Sequence, residues 1–182
     1  MNDSSTAPSR LAATLPPDDP QRALRIARPQ EDAGLRHIVV LGDTYTILVS
    51  GEDSAGRHCL IDMLVPPGGG PPPHRHDFEE MFTVLEGEVT FTFRGEQAVL
   101  RAGETVSVPA NAPHYFKNTA GQPARMLCFC APSGLEEFFM AVGDPIPSRA
   151  APPPVLDEAA LAEQIAKAVA LAPQYKTEIL AP

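Results

Sequence analysis

Between residues 37 and 132 the chain is divided into short runs of alternating or β-branched residues, each broken off by Gly, Pro or Asp. HIVVLG, TYTILVSG, RHCLIDMLVPPG, EMFTVLEG, EVTFTFRG, QAVLRAG, TVSVPA, HYFKN and ARMLCFCAP are nine such runs. In the fifth, Val89, Phe91 and Phe93 fall on one side of an extended chain and Thr90 and Thr92 on the other, a period of 2 with one wet face. Many short strands at this spacing, with no helical pattern between them, pack as an antiparallel sandwich or small barrel. The expected fold class is therefore all-β, an antiparallel β-barrel.

The flanks read differently. A length of 182 residues fits one domain that folds without a disulfide or a structural metal. Twelve of the 21 prolines lie outside the strand-rich stretch. Residues 1–22, with Pro8, Pro16, Pro17 and Pro20, carry too little apolar surface to offset the entropy of ordering them and are expected to form a disordered tail. The barrel with a capping helix is expected over residues 23–143. After residue 132 the period turns helical, with Leu135, Phe138, Phe139 and Val142 at i, i+3, i+4 and i+7. Ser133 and Glu136 have capping-box spacing, and Gly143 with Pro145 stops the turn. This helix, about 134–142, is expected to plug one end of the barrel or to act as a lid. Residues 144–182 then read as a Pro-rich linker and a C-terminal helix with Asp157 as N-cap. Leu161, Ile165, Ala168 and Val169 line one face of it, for docking on the barrel or on another subunit.

Charge narrows the partners. With 23 acidic and 14 basic side chains the formal charge is −9, and no stretch is basic enough to follow a phosphate backbone. Nucleic acid and anionic membrane are thus not expected partners, and Arg22, Arg25 and Arg28 read as a solvated face. No apolar run approaches the ~20 residues of a membrane span and the N-terminus has no hydrophobic secretory segment, so a cytoplasmic location is expected. Cys59, Cys128 and Cys130 suit a reducing compartment; Cys128 and Cys130 alternate with Phe129 and read as small buried residues.

The chemistry concentrates between Gly68 and Asn118. His74 and His76 stand two apart after the run GGGPPP, so on a strand both imidazoles point to one side. Glu80 shares their parity, and His114 opens a later run after Pro109 and Pro113. The histidine pair alone leaves two readings open, metal ligands or ordinary histidines. Three imidazoles and one carboxylate together form a ligand set for one divalent transition metal: iron, manganese, nickel, copper or zinc. Phe82 and Val84 share the parity of Glu80, and Phe116 that of His114, so these three are candidates for lining a substrate site or for plain core. Asp77 and Glu79, of opposite parity, read as solvated. His37 and His58 read as non-functional, and Asn118 as a residue that orders a strand.

The wider spacing carries a resemblance. Gly68-x5-His74-x-His76-x3-Glu80-x6-Gly87 is similar to the first signature of the cupin superfamily at every fixed position. Gly103-x5-Pro109-x4-His114-x3-Asn118 is similar to the second, 15 residues further on. Asn111 departs from the usual Gly, a change that a left-handed turn tolerates. The resemblance implies a jelly-roll barrel with His74, His76, Glu80 and His114 as metal ligands. The frame around these motifs resembles bacterial quercetin dioxygenase-like proteins. That implies a metal-dependent dioxygenase acting on a small enolisable or phenolic compound, with Glu80 as ligand and catalytic base. A non-redox isomerase, decarboxylase or lyase and a non-catalytic small-molecule-binding barrel are the alternatives. A homodimer is implied as well.

Overall fold

The computed structural model describes residues 15–152 and 157–181. Residues 1–14 of the expected tail and 153–156 of the expected linker lie outside these; residues 15–22 are exposed and form neither strand nor helix. Twelve strands follow. They are β1 (Arg36–Val40), β2 (Asp43–Val49), β3 (Cys59–Val65), β4 (His74–His76), β5 (Glu79–Glu86), β6 (Glu88–Phe93), β7 (Glu96–Arg101), β8 (Thr105–Val108), β9 (His114–Lys117), β10 (Ala124–Ala131), β11 (Asp144–Ile146) and β12 (Thr177–Ile179). A seven-stranded sheet runs β11-β1-β2-β3-β10-β5-β8 and a five-stranded sheet runs β12-β4-β9-β6-β7, with every pairing antiparallel. This is an all-β jelly-roll.

Period-2 patterning selects the inner faces. Along β10 the residues alternate strictly between buried and half-buried, so Met126, Cys128 and Cys130 point inward. Phe82, Val84, Val89, Phe91 and Phe116 complete the interior from both sheets, each at most 3% exposed. Burying a side chain of this size contributes roughly 1.5–3 kcal/mol, so these residues outweigh any single polar contact in holding the sheets together. Turn chemistry sets the register. Arg94 and Gly95, both at positive φ (50° and 89°), form the two-residue hairpin between β6 and β7. Asn111 does take the left-handed conformation, and its N–H donates to the carbonyl of His76 at 2.7 Å.

Among the described residues three α-helices accompany the barrel: α1 (Gly51–Ser54), α2 (Leu135–Val142) and α3 (Glu158–Leu171). The short α1, closed by a Ser50–Asp53 capping box, is absent from the sequence reading. Helix α2 falls where the periodicity places it, but its cap differs. Gly134 is the N-cap, and Ser133 does not cap. Glu136 is instead buried; its carboxylate accepts from the N–H of Gly51 at 2.6 Å and from that of Gly134 at 2.9 Å. The glutamate thus ties α2 to α1, which displaces the cap by one residue. Asp157 caps α3 as expected, accepting from the N–H of Ala160 at 2.8 Å. Of the expected docking face only Ala168 is buried; Leu161, Ile165 and Val169 are 37%, 38% and 50% exposed.

The stretch read as linker and terminal helix carries more structure than its prolines suggest. β11 pairs with β1, and the buried Arg149 reaches back to Asp62, which also holds Arg125 at 2.7 Å. After α3 a 3₁₀ turn, Ala172–Tyr175, leads into β12, which extends the five-stranded sheet beside β4. No helix among the described residues is long and apolar enough to cross a membrane.

Candidate metal centre

The run GGGPPP delivers β4 to the interior. Gly70 has φ 124°, and a Cβ there would overlap the carbonyl oxygen of Phe116, so only glycine lets the loop lie against β9. The loop is pinned by reciprocal backbone bonds, Gly68 N–H to the carbonyl of Asn118 at 2.8 Å and Asn118 N–H to that of Gly69 at 2.9 Å. The Asn118 side chain donates to the carbonyls of Val65 and Gln122 and accepts from Ala120, which makes it an organiser of the strand end. Three consecutive prolines then stiffen the approach to His74.

His74 and His114 face one another as register partners of β4 and β9. The ring centroids of His74, His76 and His114 lie 4.3–5.7 Å apart. Glu80 comes from the other sheet, on β5 between Cys130 of β10 and Val108 of β8. Its Oε2 lies 2.9 Å from Nε2 of His76 and 3.0 Å from Nε2 of His114. One donor atom from each of the four residues falls within 4.8 Å of all the others, so the cluster could hold a metal ion. His37, bonded to Thr46, and His58, stacked on Phe129, take no part in it. Asp77 and Glu79 are exposed.

The protons are arranged for a cation. Each Nδ1 sits against a backbone carbonyl: Pro72 for His74 at 2.9 Å, Phe78 for His76 at 3.0 Å and Ala112 for His114 at 2.9 Å. A carbonyl only accepts, so Nδ1 carries the hydrogen and each Nε2 presents its lone pair to the centre. Two of those lone pairs face a carboxylate oxygen, an arrangement that requires a proton or a metal ion between them. Burial resists charge on Glu80, but with a proton at those nitrogens the hydrogen bonds from His114 and His76 outweigh it and hold the carboxyl well below the usual range; a bound ion would take that proton's place. Burial, then the neighbouring His114, pushes His74 down to about 4, so its imidazole is neutral. Neutral imidazoles and one carboxylate fit a divalent ion of the iron-to-zinc series.

The second oxygen of Glu80 is engaged as well. Cys128 donates to Oε1 at 3.2 Å, and the sulfur of Cys130 lies 3.7 Å from it. Burial pushes the Cys128 thiol up, so it is a protonated donor and not a thiolate ligand. These cysteines are the small buried residues the sequence suggests and also neighbours of the centre. Their inward parity, with Cys130 opposite Glu80, was the available signal.

Beside the centre lies a partly enclosed cavity of about 60 Å³. His74, Glu80, Phe82 and Phe116 line it from the barrel; Leu135, Phe138, Phe139 and Val142 close it from α2; Ala168, Thr177 and Ile179 close it from the C-terminal segment. Val84 is buried core and does not line it. Helix α2 is thus both the plug and a wall. Asp43 and Tyr45, which sequence reasoning passes over, also line the cavity, and the Tyr45 hydroxyl donates to Asp43 Oδ2 at 3.2 Å.

Comparison with known proteins agrees with the fold. Residues 61–130 match the family model described as Cupin domain. Quercetin 2,3-dioxygenase from Bacillus subtilis is 28% identical over 102 residues, 56% of this chain and 30% of that protein. The chain spans less than two thirds of the length of the curated relatives it matches. Among solved structures, the polyketide cyclase RemF from Streptomyces resistomycificus superposes with a TM-score of 0.54 at 25% identity, over 61% of this chain and 81% of its own. An RmlC-like cupin from Shewanella frigidimarina gives 0.53 at 17% identity, over 64% and 98%.

Proposed function

The chain belongs to the cupin superfamily, and from that premise we propose that it is a metal-dependent dioxygenase of the quercetinase-like kind, acting on a small enolisable or phenolic compound. One observation carries the reading: a complete set of three imidazole lone pairs and a carboxylate converges beside a partly enclosed, mainly apolar cavity. A divalent ion held by His74, His76, Glu80 and His114 would supply a Lewis-acid centre with positions left for the oxygens of a substrate. The chain itself does the rest. Phe82, Phe116 and Phe138 exclude water from the reacting compound. Glu80, which lines the cavity, is the group to take its proton, the requirement being hydrogen-bond reach. A cavity of about 60 Å³ is far below the ~300–1,000 Å³ of drug-sized ligand sites. The substrate is therefore compact, or α2 and the C-terminal segment move aside to admit it.

Metal analysis of the protein purified without added metal, beside His76→Ala, tests the centre. About one equivalent of a transition metal is expected, lost in the variant. An oxygen electrode with flavonols, hydroxyketones and diketones then tests the reaction. Turnover at an undiminished rate under argon would overturn the dioxygenase and favour a second reading, a non-redox enzyme using the ion as Lewis acid alone. The likeness to a polyketide cyclase supports that alternative.

A homodimer and a cytoplasmic setting belong to the same proposal. Exposed Leu161, Ile165 and Val169 on α3 support the first, and three free, buried thiols the second. A sedimentation mass of one subunit at micromolar concentration would overturn the dimer.

A further inference from the structure

A second and larger space lies outside the barrel. Thr92 of β6 and Tyr115 of β9 are register partners, and their neighbours Phe91 and Phe116 point into the core, so this pair faces outward. Over them runs an open groove of about 730 Å³, walled on the far side by Leu161 and Ile165 of α3. That volume falls within the ~300–1,000 Å³ of sites for small organic molecules. Leu41, Pro71 and Pro72 line both the groove and the cavity, so a ligand here packs against the outer side of the loop that leads to His74. These residues and Tyr115 make the groove largely hydrocarbon.

Charge decides what fits it. The chain has 23 acidic and 14 basic side chains, yet no acidic residue lines the groove and two cations do, Arg94 and Lys117. The register sets them on either side of Tyr115: Lys117 stands opposite Thr90, and Arg94 follows Phe93, the partner of His114. Neither forms an ion pair among the described residues. The Arg94 guanidinium is held 4.8 Å over the Phe93 ring, a contact that places the charge without neutralising it. Apolar walls with a free cation on either side suit a molecule that is itself hydrocarbon with a negative group: burial favours the frame, and a charge-assisted hydrogen bond favours the anion. We propose that the groove is a second binding site, for a small amphipathic organic anion, a carboxylate or sulfonate on an aromatic or aliphatic frame. The frame lies along Tyr115, Leu161 and Ile165, and the anionic group pairs with Arg94 or Lys117. The site needs no metal ion, so it stands or falls apart from the reaction proposed above.

The test titrates the full chain as purified with two fluorescent probes, 1-anilinonaphthalene-8-sulfonate and N-phenyl-1-naphthylamine, the same frame without the sulfonate. The wild type is expected to bind both in the groove. Arg94→Gln combined with Lys117→Gln should weaken the sulfonate probe about tenfold and change the neutral probe by less than about twofold, since only the charge-assisted contact is lost. Leu161→Glu, which sets a negative charge against the wall, should weaken both. Arg57→Gln removes an exposed cation outside the groove and should leave both unchanged. Equal melting temperatures verify that the variants are folded. A sulfonate affinity that the double glutamine variant leaves intact, or that Arg57→Gln lowers as much, would overturn the site. So would equal weakening of the two probes in the double variant, which would make the groove an apolar patch without choice of charge. Affinity that rises as the protein is diluted would assign the groove to a second copy of the chain and overturn the proposal as well.

Discussion

The Cys128 thiol donates to Oε1 of Glu80 at 3.2 Å, and neither side chain reaches solvent. Glu80 therefore has its two oxygens assigned to different tasks, Oε1 to the thiol and Oε2 to the histidines. A donor behind a metal-binding carboxylate fixes its rotamer, and losing such a contact typically costs 10–100-fold in metal affinity. Cys128→Ala is expected to lower affinity about tenfold in competition with a chelator. Cys128→Ser, which restores a donor, should recover most of it; an alanine variant with unchanged affinity would show that the thiol only fills space.

The C-terminal strand has a similar bearing on the centre. Thr177 pairs with His76 and Ile179 with His74, so β12 covers the free edge of the strand that supplies two histidines. The Lys176 carbonyl accepts from Asp77 N–H at 3.0 Å, and the Leu180 N–H donates to the Pro73 carbonyl at 2.8 Å. Removing residues 173–182 is expected to leave a folded barrel that melts several degrees lower, binds metal at least tenfold more weakly and admits compounds too large for the closed cavity. Calorimetry with metal titration would check this. Unchanged metal affinity would separate the strap from the centre.

How far this was legible in the sequence follows from how local each signal is. The strands and the inward parity of His74, His76, Glu80, Phe82 and Phe116 depend on period 2 within one run, which any reader of the chain can count. So does α2. Its cap was misplaced because Glu136 is recruited by Gly51, a residue 85 positions away in sequence. β11 and β12 were not visible at all: three-residue strands have no periodicity of their own and exist because β1 and β4 offer free edges. Asp43 was hidden for a related reason. An Asp after Gly42 reads as turn punctuation, and only the packing of the Gly69–Gly70 loop over it buries the carboxyl.

Burial of Asp43 gives a pH dependence whose sign is fixed. Its carboxyl is pushed up to about 7 in the folded protein, from an ordinary value of 3.8. Below the lower value both folded and unfolded chains hold the proton, and the contribution is fully present. Between the two the unfolded chain has released it, so stability falls as pH rises, by up to about 1.4 kcal/mol per pH unit; above the higher value the slope vanishes. Urea titrations should show the wild type losing on the order of 2 kcal/mol relative to Asp43→Asn between about pH 5 and about pH 7. A difference that stays flat over that range would mean the carboxyl is ionised throughout.

The approach to the centre can be probed at a residue that is not a ligand. At Gly70, with φ 124°, an added Cβ would strike the Phe116 carbonyl, and both atoms belong to backbone that cannot step aside cheaply. Gly70→Ala therefore combines strain in φ with a steric overlap that moves the loop away from β9. Because Pro71, Pro72 and Pro73 transmit that displacement stiffly to His74, metal binding should fail along with stability. A loss of about 2–3 kcal/mol is expected, roughly 4–12 °C in melting temperature for a domain of this size. Gly121→Ala, where a Cβ meets nothing within 4 Å, should be neutral in both measurements. If the two alanine variants melt together and both hold one equivalent of metal, the glycine at position 70 is not what brings His74 to the centre.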